Sequence, residues 1–95
     1  MKISYKHPET GKRTSITLSN RILRLWAIVN HIDVVEDEIP TDDFLYDENS
    51  MKLLKIWLHD HHEEFIKGTN NFPTFTGYFE NIILLEVEHR LTRPL

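Results

Sequence analysis

The sequence predicts an α+β fold, in which an N-terminal β-hairpin is followed by three α-helices in one small domain. Apolar and polar residues alternate over residues 1–18, on both sides of a short segment that contains Pro and Gly. In three later segments the apolar residues recur at steps of three and four, which is the spacing of a helix face. A chain of 95 residues has room for one modest core.

The hairpin is predicted to occupy residues 1–18. Pro8 suits the first central position of a type I turn, and Gly11 suits the left-handed position that closes the loop. His7 then pairs with Lys12, and the alternation of side chains determines the register of the strands. One face is predicted to hold Met1, Ile3, Tyr5, Thr14, Ile16 and Leu18. The opposite face is predicted to hold Lys2, Ser4, Lys6, Arg13, Ser15 and Thr17.

The first predicted helix occupies residues 19–32. Ser19 is a good N-cap, because its hydroxyl can accept a hydrogen bond from a free N–H of the first turn. The buried stripe of this helix is predicted to consist of Ile22, Leu25, Trp26, Val29 and Ile32.

Two further helices are predicted at residues 49–68 and 77–92, separated by a connector at 69–76. The second helix is capped by Asp47 or Asn49 and ends at Gly68, and its core face is Leu54, Trp57, Leu58, His61 and Phe65. The third has an apolar face of Phe79, Ile82, Ile83, Val87, Arg90 and Leu91. A strand over residues 82–87 is the alternative, because short apolar runs do not separate strand from helix.

Charge is strongly segregated along the chain, although the net charge is only −4. Residues 1–25 carry six basic residues and one acidic residue, whereas residues 33–49 carry eight carboxylates and no basic residue. Two surfaces of opposite charge favour two partners, or one partner and a self-association contact. Neutralisation of one surface by the other within the molecule is the alternative.

The polar face of the hairpin is a candidate DNA-binding surface. A two-stranded ribbon can enter the major groove, where cationic and hydroxyl side chains meet base edges and phosphates. The candidate residues are Lys2, Ser4, Lys6, Arg13, Ser15 and Thr17. The alternative is an ordinary solvated face of a half-buried sheet.

Residues 12–29, with the sequence KRTSITLSNRILRLWAIV, resemble the start of ribbon-helix-helix DNA-binding proteins. The resemblance implies that strands from two subunits pair into a ribbon that reads the groove, with Arg13, Ser15 and Thr17 toward the bases. It therefore implies a homodimeric DNA-associated regulator of the repressor or antitoxin type. Here residues 2–6 already supply a partner strand within the chain, so a ribbon between subunits would have to displace or extend the hairpin.

The acidic loop predicted at residues 33–48 is the basis of a second hypothesis. It mixes carboxylates with aromatic residues that could anchor a basic protein partner, and the candidates are Asp42, Asp43, Phe44, Tyr46 and Asp47. The protein would then be a protein-binding inhibitor or adaptor, including one that imitates DNA phosphates. Alternatively, Phe44 and Leu45 fold back onto the core.

Catalysis has little support in the sequence. His59, His62 and Glu63 have helical spacing that could direct three ligands to one metal ion. The favoured interpretation is a solvated polar helix face with His61 buried on the apolar stripe, so no metal site is predicted. Cysteine is absent and a nucleophile elbow is absent, so we expect a non-enzymatic protein without a cofactor. Without a long apolar run or the apolar core of a signal peptide, we expect a cytoplasmic protein that does not contact membranes.

Overall fold

A computed structural model describes residues 1–30 and 47–92 of the chain. It confirms the α+β class, with an antiparallel hairpin followed by three helices in one small domain. The elements are β1 (Lys2–Lys6), β2 (Arg13–Thr17), α1 (Asn20–Val29), α2 (Glu48–Lys67) and α3 (Phe75–Thr92). None of the described helices is long and apolar enough to cross a membrane.

The hairpin has the predicted register, in which Ile3 lies opposite Ile16 and Tyr5 lies opposite Thr14. The N–H of His7 donates to the carbonyl of Lys12 at 2.8 Å, so the predicted closing pair is confirmed. The loop between them is closed by the N–H of Gly11, which donates to the carbonyl of His7 at 3.0 Å. Gly11 has a φ of 69°, which is the left-handed conformation that favours glycine.

Helix α1 begins where the sequence predicts, because Ser19 accepts a hydrogen bond from the N–H of Ile22 at 3.2 Å. Three residues of the predicted stripe are buried, namely Ile22, Trp26 and Val29, whereas Leu25 is only partly buried and Ile32 lies outside the described residues. Leu23 and Ala27 are buried too, which the prediction missed. Because α1 packs along α3, it buries a wider face than a single stripe.

Helix α2 begins at Glu48, one residue before the predicted start, because Asp47 is its N-cap. The helix ends as predicted, with Gly68 donating its N–H to the carbonyl of Glu64 at 2.8 Å. A Cβ at Gly68 would lie 2.8 Å from that same carbonyl oxygen, so the close approach requires glycine. Of the predicted core face, Leu54 and Leu58 are fully buried, and the aromatic positions are partly buried.

The third element is a helix, so the alternative of a strand is wrong. It begins at Phe75, two residues before the predicted start, because Thr74 is the capping residue. The hydroxyl of Thr74 accepts from the N–H of Gly77 at 3.2 Å. Phe79 and Ile83 are fully buried, but the predicted face ends early, since Arg90 and Leu91 are exposed.

The core joins the apolar face of the hairpin to all three helices. Its members are Ile3, Tyr5, Ile16, Leu18, Ile22, Leu23, Trp26, Ala27, Leu54, Leu58, Phe79 and Ile83. Trp26 is fully buried, and the ring of Trp57 stands nearly perpendicular to it with the centroids 6.3 Å apart. A two-stranded ribbon alone is marginally stable, so this packing is what holds the hairpin in place.

Candidate functional site

The outward face of the hairpin, called the basic face below, carries all six residues that the sequence nominated for DNA binding. They are Lys2, Ser4, Lys6, Arg13, Ser15 and Thr17. Ser4 is partly buried and the other five are exposed, because the residues between them turn inward to the core. The structure therefore places these side chains on one solvent-facing surface.

Lys6 and Arg13 lie directly opposite each other across the two strands. Hydrogen bonds join the neighbouring pair His7 and Lys12, so Lys6 and Arg13 form a pair without backbone hydrogen bonds, in which side chains approach most closely. Like charges in such a pair repel each other. In the described part of the chain no carboxylate forms an ion pair with either residue, so this positive charge is directed at solvent.

Lys55 of α2 adds a cation to this surface that the sequence pattern does not predict. It is exposed, and it borders a shallow depression together with Ser4, Tyr5, Lys6, Gly11 and Arg13. Helix α2 packs against β1, which brings Lys55 beside the hairpin. Lys55 and His62 are seven residues apart and so share one helix face. This spacing predicts that Lys55 lies near the hairpin only when the contact of His62 with the hairpin is already known.

A contact between Tyr5 and His62 fastens β1 to α2. The hydroxyl of Tyr5 lies 2.7 Å from Nδ1 of His62. The ring of His62 stacks on Phe75 of α3, with the centroids 4.3 Å apart and an angle of 7° between the planes. The ring of His7, at the hairpin loop, also packs against the ring of His62, edge to face with the centroids 4.7 Å apart.

The protonation states at this contact follow from burial. Burial raises the pKa of Tyr5 to about 12, so its hydroxyl is neutral and able to donate. Burial, followed by the nearby His7, lowers the pKa of His62 below its ordinary value. We therefore assign Nδ1 of a neutral His62 as the acceptor of the Tyr5 hydroxyl. The sequence pattern predicts that His61 lies on the core face, and it gives no signal for the packing of His62.

The three residues considered as metal ligands do not act together. His59 pairs with Asp60 at 3.1 Å, and Glu63 pairs with Lys67 at 2.6 Å. Nδ1 of His62 forms a hydrogen bond with the hydroxyl of Tyr5 instead. Within residues 1–30 and 47–92, no group of three His, Asp or Glu side chains could hold a metal ion.

Most of the proposed acidic binding surface lies outside the described residues, namely Asp42, Asp43, Phe44 and Tyr46. Asp47 is described, and it caps α2. Its carboxylate accepts from the N–H of Ser50 at 3.2 Å and from the hydroxyl of Ser50 at 2.8 Å. These hydrogen bonds lower the pKa of Asp47, with the hydroxyl contributing most, so this residue has a structural role.

Comparisons with known proteins identify no relative of the chain. No family model matches it, and no curated protein or solved structure matches it significantly. Function must therefore be inferred from the chemistry and geometry of the site itself.

Proposed function

We propose that this protein is a small non-enzymatic regulatory protein that binds DNA through the basic face. The observation that carries the proposal is the close pair of Lys6 and Arg13, which is exposed and has no carboxylate partner among the described residues. Holding two cations side by side is unfavourable in the free protein. A phosphate backbone would neutralise both charges and release the counterions that it has condensed.

The shape of the hairpin also supports DNA as the ligand. A strand of five residues is about 17 Å long, and a ribbon of two strands fits the width of the major groove. Arg13 has the planar fork that can pair with a phosphate or with guanine, and hydroxyl groups at Ser4, Ser15 and Thr17 can bond base edges or phosphates. The contact of Tyr5 with His62 holds this ribbon against the helices, so it would meet DNA in a defined orientation.

A homodimer is part of the proposal. The described residues leave the outer edge of β2 without a backbone partner. A second copy could extend the sheet there with Ser15 at the two-fold axis, so that Arg13 would face Thr17 of the other subunit and not another cation. Two basic faces would then lie side by side. Action in the cytoplasm is also proposed, since a chain without cysteine suits a reducing compartment.

The proposal is tested by measuring DNA affinity over a series of salt concentrations. The wild-type chain is titrated into a labelled duplex pool of random sequence, followed by fluorescence anisotropy. The logarithm of the affinity should fall linearly with the logarithm of the salt concentration, with a slope of about −0.9 for each phosphate that the basic face neutralises.

Two charge-removing variants locate the binding surface. Arg13→Gln should weaken binding and flatten the slope. Lys52→Gln removes an exposed cation of α2 that is not part of the basic face. It should leave the DNA affinity and the salt slope nearly unchanged. Absence of binding at low salt, or equal losses in the two variants, would contradict the proposal.

A further inference from the structure

The end of the basic face nearest the hairpin loop is concave. Three cations from three different elements border this depression: Lys6 of β1, Arg13 of β2 and Lys55 of α2. The hydroxyl-bearing Ser4 lies on the same rim. In the described part of the chain none of the three cations forms an ion pair.

We infer that this depression is a binding site for one phosphate group, held jointly by Lys6, Arg13 and Lys55. The inference rests on the proposed function where the group is a phosphodiester of DNA. Free inorganic phosphate has the same tetrahedral oxygen chemistry and is the other source of the ligand.

Charge and donor geometry favour a phosphate over other ligands. The guanidinium of Arg13 can bond two phosphate oxygens at once, whereas Lys6 and Lys55 act as mobile point charges that adjust to the remaining oxygens. Because the three cations repel one another in the empty site, an anion between them relieves repulsion as well as forming new bonds.

The surrounding packing positions the strand and the helix that carry the cations. Tyr5, which lies between Ser4 and Lys6 in the sequence, is buried. Its hydrogen bond to His62 fixes the distance between β1 and α2. The loop backbone passes close to the stem of Lys6, because a Cβ at Gly11 would lie 3.6 Å from Cε of that lysine. Because α2 packs against β1, the backbone of Lys55 lies beside the hairpin.

The first arm of the test uses duplex DNA and a matched pair of lysines on α2. Lys55 and Lys52 are both exposed and only three residues apart, but only Lys55 borders the depression. We expect Lys55→Gln to weaken DNA binding about fivefold at low salt. The salt slope should flatten by less than the value of about 0.9 for a whole phosphate contact, because Lys6 and Arg13 still contact the same phosphate. Lys52→Gln should change neither quantity, and Lys55→Arg should retain the affinity of the wild type.

The second arm uses inorganic phosphate without DNA. Phosphate is titrated against sodium chloride of equal ionic strength, and the backbone amides of Lys6, Gly11 and Arg13 are followed by NMR. We expect saturable shifts of these amides with phosphate only. The shifts should be lost in Lys55→Gln and kept in Lys52→Gln.

The two arms separate this site from the proposed function. If DNA binds and Lys55→Gln behaves like the wild type in both arms, the site is refuted while DNA binding stands. Equal losses in Lys55→Gln and Lys52→Gln also refute the site, because only general charge is then involved. If phosphate binds through Lys55 but DNA does not bind, the site stands with free phosphate as its ligand, and the DNA proposal fails.

Discussion

The hydroxyl of Tyr5 and Nδ1 of His62 lie 2.7 Å apart, and this is the only hydrogen bond between side chains of the hairpin and the helices among the described residues. It joins residues that are 57 positions apart in the chain. Tyr5 is 5% exposed, so its hydroxyl would lack a compensating partner if His62 were removed. The basic face is presented on the opposite side of the same strand.

Replacing Tyr5 with Phe should destabilise the protein by about 1 kcal/mol, because the ring stays buried while a partly buried hydrogen bond is lost. The free energy of unfolding, measured by urea denaturation, tests this. Tyr78→Phe is the matched control, since no hydrogen bond of the Tyr78 hydroxyl occurs within the described residues. Equal effects of the two variants would show that the contact with His62 contributes nothing.

Stability should fall as the pH drops below about 6.5, the ordinary pKa of histidine. The pKa of His62 is lowered in the folded protein, so protonation favours the unfolded state, and the stabilisation present above that pH is lost on acidification. The groups that face His62 are Tyr5, His7 and Glu9 from the hairpin and His59 from α2, of which Glu9 alone favours protonation.

The measurement is the urea midpoint at about pH 8 and about pH 5. Replacing His62 with Gln should reduce the difference between the two midpoints, whereas the exposed His89→Gln should not. The carboxyl groups of Asp47 and Glu63 also have lowered pKa values, but their stabilising effect is lost only as the pH falls toward the carboxyl range. If the pH dependence of stability is as large in His62→Gln as in the wild type, it arises from a group other than His62.

Sedimentation at micromolar concentration should give about twice the 11.3 kDa mass of the chain. Pairing through β2 needs the N–H of Ser15, which points away from β1 because Ser15 and Ser4 form a pair without backbone hydrogen bonds. Ser15→Pro should therefore give a monomer without breaking the hairpin ladder. Ser4→Pro alters the outer edge of β1 and should leave a dimer. A monomeric wild type would remove the dimer from the proposed function.

The carboxylates of the predicted acidic loop at residues 33–48 allow a test between DNA binding and binding of a basic protein partner. Asp42→Asn with Asp43→Asn removes two charges and leaves the cap residue Asp47 intact. DNA binding should strengthen, because repulsion of phosphate decreases, whereas capture of a basic protein partner should weaken through a slower association rate. Glu86→Gln with Glu88→Gln removes the same charge from exposed positions on α3 and is the control. Equal behaviour of the two double variants would leave the acidic segment without a specific role.

The sequence by itself determined the hairpin and the capped start of α1, and it narrowed the cap of α2 to Asp47 or Asn49. The register follows from side-chain alternation and from the requirement of Gly11 for a left-handed backbone, both of which act over a few residues. Ser19 and Asp47 satisfy free N–H groups within their own first turns, so these caps are also local. For the same reason the six residues of the basic face could be named before the fold was known.

Only the tertiary structure decided which helix residues meet the hairpin. His62 becomes the partner of Tyr5, and Lys55 joins the basic face, because α2 packs across β1. Their spacing places both on one helix face but does not say what that face contacts. Leu23 and Ala27 are buried for a similar reason, since the width of the covered face depends on neighbouring helices. Contacts between distant parts of the chain are set by packing of the whole core, which no local pattern encodes.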